Sequence, residues 1–166
     1  KPIEGYSNFL WTILLAGCFT LGFDTSSSAQ TLGIVCGTVI LATMFVILKA
    51  QKCNSFGRSL ALLTLATAPA FGVYAISGME TVLFTLVLLV FAYGFYMEES
   101  GRWTIPVSAV CAPMVVMTRP EGIILISVFV LYRLFRLMSN ETSANKKWTV
   151  MWLAIVVGTV MSFYVW

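Results

Sequence analysis

Apolar residues run in seven long segments, about 8–23, 29–48, 59–76, 81–96, 104–117, 122–138 and 148–166, with short polar breaks between them. The runs are continuous rather than alternating, which predicts helices that are apolar all round. A helix needs about 20 residues to cross a hydrocarbon core of about 30 Å. The second, third, fourth and sixth runs come near that length, and so does the seventh, which is cut short. The first run would extend only about 24 Å as a helix and starts at a polar residue, which favours a juxtamembrane surface helix over a crossing. The fifth is shorter still and carries Pro106 and Pro113. Such a helix needs neighbours to satisfy its freed backbone groups, so it is expected inside a bundle. The predicted fold class is all-α: a polytopic transmembrane helix bundle with one short juxtamembrane helix and about six spans, in a single domain.

Composition sharpens this picture. Of 166 residues, 59% are hydrophobic and 10% charged, where a soluble domain carries about 25% charged residues. The mean hydropathy is +0.91. A net charge of +3 is too small to suggest a nucleic-acid partner. The chain begins at Lys1 rather than Met and ends within an apolar run, so it reads as an internal piece of a longer protein. It has no His, and its four cysteines (Cys18, Cys36, Cys53, Cys111) show no paired spacing. That excludes a zinc site and a His-based nucleophile within this segment and suggests buried apolar thiols.

Charge sets the expected orientation. Lys49, Lys52 and Arg58 share one break, Arg102 lies two breaks on, and Arg133, Arg136, Lys146 and Lys147 flank a third. Alternation puts these eight basic residues on one side, which the positive-inside rule makes cytoplasmic. Trp103 and Trp148 fit aromatic anchors there. The opposite, outward side receives Asp24-Thr25-Ser26-Ser27-Ser28, Ser77-Gly78-Met79-Glu80-Thr81 and Thr118-Arg119-Pro120-Glu121-Gly122.

The last two motifs carry the candidate chemistry, because a charge between apolar runs faces protein, water or a ligand rather than hydrocarbon. If both lie on one side, they can build one site. Each also matches a capping box, Ser77-x-x-Glu80 and Thr118-x-x-Glu121, which would merely start a helix, with Pro120 just inside the second. Arg119 opposes the helix dipole and calls for an anion. That anion is a phosphate, an acidic neighbour such as Glu121 or Glu80, or a lipid head group. Near the start, Ser7 or Asn8 can cap the first helix, and Tyr6 and Trp11 read as interfacial aromatics. Alternatively, Tyr6 and Asn8 line a sugar pocket. Glu98-Glu99 beside Arg102 reads as a solvated turn. The Asn140-Glu141-Thr142 sequon falls in a cytoplasmic break and carries no weight.

Glu4-Gly5-Tyr6-Ser7-Asn8-Phe9-Leu10-Trp11, then Ser77-Gly78-Met79-Glu80-Thr81, then Thr118-Arg119-Pro120-Glu121-Gly122 resemble, in this order, bacterial GT-C-type membrane glycosyltransferases. The likeness is to the subgroup related to arabinofuranosyltransferases and dolichyl-phosphate-mannose mannosyltransferase-like proteins, and it runs from about Glu4 to Arg136. It implies a polyprenyl-phosphate-linked sugar donor, an acceptor in the cell envelope, and a site on the outer face of the bacterial inner membrane. It implies that an upstream span, the first outer loop with its acidic catalytic base, and a C-terminal part lie outside this segment, which would then be inactive alone. Glu80 corresponds to the family's second outer acidic position and is the catalytic candidate here. Arg119 corresponds to the arginine inferred to contact the lipid phosphate. Glu121, Ser77, Tyr6 and Asn8 are substrate-binding candidates.

In that chemistry the lipid phosphate leaves with its charge held by Arg119 and by helix N-termini, while a carboxylate takes the acceptor proton. Outer acids could help hold a divalent cation, although no ligand set is visible and no other cofactor is implied. Two other functions are compatible with a polytopic bundle: a transporter or flippase, and a non-catalytic assembly subunit. A transporter predicts polar groups near the midplane, whereas the ionisable groups here stay at the ends of the runs.

Overall fold

A computed structural model describes residues 8–138 and 143–165, with side chains over 8–138 and 148–162. Tyr6, Ser7 and the 140–142 sequon lie outside the described residues. Among the described residues the structure is all-helical, with no strand. In order the helices are α1 (Phe9–Thr20), α2 (Thr25–Ala50), α3 (Ser55–Thr67), α4 (Pro69–Ile76), α5 (Thr81–Glu99), α6 (Val107–Thr118), α7 (Gly122–Met138) and α8 (Ser143–Val165).

Local chemistry sets most of the boundaries. The Asp24 carboxylate caps α2 by accepting from the Ser27 amide at 2.9 Å, and the Asn54 side chain caps α3 by accepting from the Gly57 amide at 2.9 Å. At the other ends, α1, α2 and α5 close with the same turn. Phe23 N–H donates to the Cys18 carbonyl, Cys53 N–H to Leu48 and Arg102 N–H to Met97. That turn needs one left-handed residue. Gly22 (φ 85°) and Gly101 (φ 66°) supply it for α1 and α5; α2 uses Lys52 (φ 58°) instead.

The third apolar run differs from expectation. It is broken at Ala68, which is extended (φ −64°, ψ 118°), and α3 and α4 meet at a 56° bend. Pro69 is the cause: its ring disfavours helical backbone at the preceding residue, while its fixed φ suits the first position of α4. Pro113, by contrast, stays inside α6. α2 and α5 are each long and apolar enough to cross a membrane, and the bent α3–α4 pair would make a third span. α1, α6 and Trp148–Ser162 of α8 are apolar but shorter. Large apolar side chains such as Val46, Leu63, Val73, Ile124, Val128 and Leu131 are exposed, as a lipid-facing surface requires.

The chain folds into two compact units, divided within α5 between Val90 and Phe91. In the Asn8–Val90 unit the core is Trp11, Cys36, Ile40, Val82 and Leu83. Trp11, expected at an interface, is instead buried, because α1 packs along α2 and its indole fills the space beneath. α2 and α4 approach closely at Gly33 and Gly37. A Cβ on Gly33 would stand 2.4 Å from the Ala75 carbonyl oxygen, so only glycine admits this contact. Two small residues four apart give a helix pair this closeness in a lipid-like setting.

The unit that starts at Phe91 packs the last turns of α5 with α6, α7 and α8. α6 lies inside, burying Ser108, Ala109, Cys111, Ala112, Val115, Val116 and Thr118. This agrees with the enclosed helix expected from its two prolines. Phe91 and Phe95 each meet the Phe129 ring edge-on, with centroids 4.8 Å apart.

Candidate functional site

Both polar motifs lie at helix junctions, but neither forms the capping box its spacing suggests. Ser77 ends α4, and its hydroxyl donates backward to the Tyr74 carbonyl at 3.1 Å. Glu80 starts α5 through its own carbonyl, which accepts from the Phe84 amide at 2.9 Å. Likewise Thr118 ends α6, buried, with its hydroxyl donating to the Val115 carbonyl at 2.8 Å. Arg119 follows in extended conformation (φ −152°, ψ 133°). Pro120 and Glu121 therefore lie in the turn before α7, not inside the helix. Hydroxyls at the end of a helix find the free carbonyls of its last turn close by, and that local bond wins over capping the next helix.

Glycines hold both turns in place. Gly78 has φ 72°, and a Cβ there would meet the Ala29 Cβ at 3.1 Å. Gly78, in the 77–80 turn, is thus pressed against Ala29 and Gln30 near the start of α2. A Cβ on Gly122 would stand 2.8 Å from both the Val115 carbonyl oxygen and its Cγ1, so the 119–121 turn is held tightly over the end of α6.

Of the predicted site residues, Ser77 and Glu121 are exposed, while Asn8, Glu80 and Arg119 are half-buried. Asn8 precedes α1, but its side chain makes no bond to a helix amide; Thr12 Oγ1 lies 3.4 Å from its Oδ1. Ser77, Glu80 and Asn8 belong to the Asn8–Val90 unit, and Arg119 and Glu121 to the other. A small apolar cleft lined by Ile40, Phe71, Tyr74, Thr81, Val82 and Thr85 lies next to Glu80 in the chain. Among the described residues no three His, Cys, Asp or Glu side chains gather as metal ligands.

The Asn8–Val90 unit is electrically polarised. Its two acids, Asp24 and Glu80, lie at the N-terminal end of α2. Its cations Lys49, Lys52 and Arg58 lie at the C-terminal end. A helix of 26 residues separates these ends by about 39 Å. Asp24 has its carboxyl held below the ordinary value, chiefly by the hydrogen bond from the Ser27 amide.

The second unit holds a polar centre that the sequence conceals. Glu98, expected in a solvated turn with Glu99, has a fully buried side chain. Its Oε1 accepts from the Ser108 amide at 2.7 Å and its Oε2 from the Ser108 hydroxyl at 2.6 Å. The same hydroxyl accepts from Trp152 Nε1 at 2.6 Å. Arg133, 3% exposed, reaches Glu98 at 3.5 Å and Glu99 at 3.0 Å, and Arg136 pairs with Glu99. The Arg133 guanidinium also stacks over Phe95 at 4.8 Å and Trp152 at 5.2 Å. Buried carboxylate and guanidinium are tolerable only when paired and hydrogen-bonded, as here. One signal lay in the sequence: two acids end one apolar run, and two arginines one helical turn apart end another. Ser108 sits at the first turn of α6 and Thr118 at its last. The ion cluster and the 119–121 turn therefore occupy opposite ends of α6.

No protein-family model, curated protein or solved structure matches this chain.

Proposed function

We propose that the chain is part of a GT-C-type membrane glycosyltransferase that moves a sugar from a polyprenyl-phosphate-linked donor to a cell-envelope glycan, lipid or protein. In this reading it sits in the bacterial inner membrane. The bent α3–α4 pair, α2, α5, α6, α7 and α8 form six spans, α1 lies at the outer surface, and the 77–80 and 118–121 turns face outward. The observation that supports it is the placement of Glu80 and Arg119. Each is half-buried at a junction between apolar helices, beside a glycine that only a closely packed turn requires.

The chemistry assigned to each residue follows from its charge. The acceptor hydroxyl oxygen bonds to the anomeric carbon of the sugar. The bond from that carbon to the phosphate oxygen breaks, and the lipid phosphate leaves with the electron pair. Arg119 stabilises the departing phosphate with a two-pronged hydrogen bond. A carboxylate takes the hydroxyl proton; Glu80 is the candidate within this segment, after the acid expected upstream. Glu121 and Ser77 contact substrate, and Tyr6 and Asn8 line the sugar pocket.

The test uses the full-length enzyme with a polyprenyl-phosphate-sugar donor. Arg119→Ala should lower transfer by roughly 10²–10³-fold, the scale for losing one donor to a developing anion. Transfer at the wild-type rate would remove the phosphate role and with it the proposal.

A further inference from the structure

We propose that the turn joining α2 to α3 binds the phosphate head group of an anionic membrane lipid, through Lys49, Lys52 and Arg58. This does not rest on the glycosyltransferase reading, only on a membrane setting. Three cations fall within this turn and its flanks, while the sequence has no carboxylate between Asp24 and Glu80. The only acids of the unit are at the far end of α2, too distant for pairing. Lys49 and Lys52 are exposed, Arg58 is half-buried, and none forms an ion pair among the described residues. Arg58 is oriented by stacking over the Phe45 ring, 4.9 Å from its centroid.

The contrast with the other unit is informative. There Arg133 and Arg136 are neutralised by Glu98 and Glu99, so their charge is spent inside the protein. At the α2–α3 turn no anion is supplied among the described residues, and the charge is left for a ligand. The backbone points the same way. Where α1 and α5 close with glycine, α2 closes with a lysine in left-handed conformation. A non-glycine residue there is strained, and such strain persists where the side chain has a use.

The surroundings fit a lipid rather than a soluble anion. Phe56, in the first turn of α3, is 77% exposed, placed to enter the boundary between head groups and acyl chains. The first amides of α3 add the positive end of its dipole at the same turn.

The experiment titrates the purified full chain in neutral detergent with phosphatidylglycerol or phosphatidylcholine and counts bound lipid by native mass spectrometry. Wild type should prefer phosphatidylglycerol. Each neutralised cation should lower that affinity about fivefold, so Lys49→Gln/Lys52→Gln/Arg58→Gln should lose the preference. Lys52→Gly keeps the turn while deleting one cation, and should bind about fivefold more weakly without losing thermal stability. Equal binding of the two lipids by wild type, or an unchanged preference in both variants, overturns the proposal. Displacement of phosphatidylglycerol by excess inorganic phosphate also overturns it, because the site would then take a free anion. Retention under that competition supports the lipid.

Discussion

Ser108 places both its amide and its hydroxyl on one carboxylate, that of Glu98, at 2.7 Å and 2.6 Å, and so ties the first turn of α6 to the last turn of α5. Because the hydroxyl also accepts from Trp152, this pair joins α8 to the same point. Ser108→Ala leaves a buried oxygen and a buried indole N–H without this partner and should cost about 1–3 kcal/mol. Glu98→Ala leaves the buried Ser108 amide and hydroxyl without their acceptor, while Arg133 keeps its pair with Glu99 at 3.0 Å, and should cost about 1–3 kcal/mol. Denaturation in detergent, followed by tryptophan fluorescence, measures both. The double variant should lose less than the sum; additive losses would mean the two residues act independently.

Gly33 and Gly37 offer a paired comparison. At Gly33 a new methyl meets a backbone carbonyl at 2.4 Å, which cannot move aside. At Gly37 the nearest atom is the Ala75 Cβ at 3.5 Å, an ordinary contact. Gly33→Ala should therefore destabilise by about 1–3 kcal/mol through overpacking, while Gly37→Ala is near neutral. Similar unfolding midpoints for the two variants would refute the α2–α4 packing.

Lys52→Gly should stabilise the chain by about 1 kcal/mol, since glycine adopts the left-handed conformation without penalty. Thermal unfolding reads this directly, and a lowered midpoint would contradict the closing turn of α2.

Asp24 makes α2 sensitive to acid. Its carboxyl is held below its ordinary value by the Ser27 amide, so the charged form is favoured by folding. Its contribution is present above the ordinary carboxylate range and is lost as pH falls through the lower folded value. Asp24→Asn keeps a capping oxygen but has no charge to lose. Its stability should fall less than that of wild type below about pH 4. Parallel acid limbs for the two proteins would show that the cap does not titrate.

Much of the architecture was legible in the residues. Continuous apolar runs, punctuated by Asp24, Asn54, Gly22 and Gly101, determine helices and their ends, because capping and left-handed closure act within a few residues. The all-helical class and the enclosed α6 follow from the same local rules. Pro69 carried a break that run length alone obscured, since hydropathy does not register a ring that excludes helical backbone from Ala68.

What only the tertiary structure decided concerns polar groups with two uses. Ser77 and Thr118 have the spacing of caps, yet each bonds back into the helix it ends, because that helix leaves its last carbonyls within reach. Glu98 and Glu99 have the composition of a solvated turn, yet packing brings Arg133, Ser108 and Trp152 around them from helices remote in sequence. A carboxylate's partner 10 or 35 positions away along the chain, or an indole 44 positions from the serine it bonds, has no local signature; it exists only once three helices are laid against a fourth.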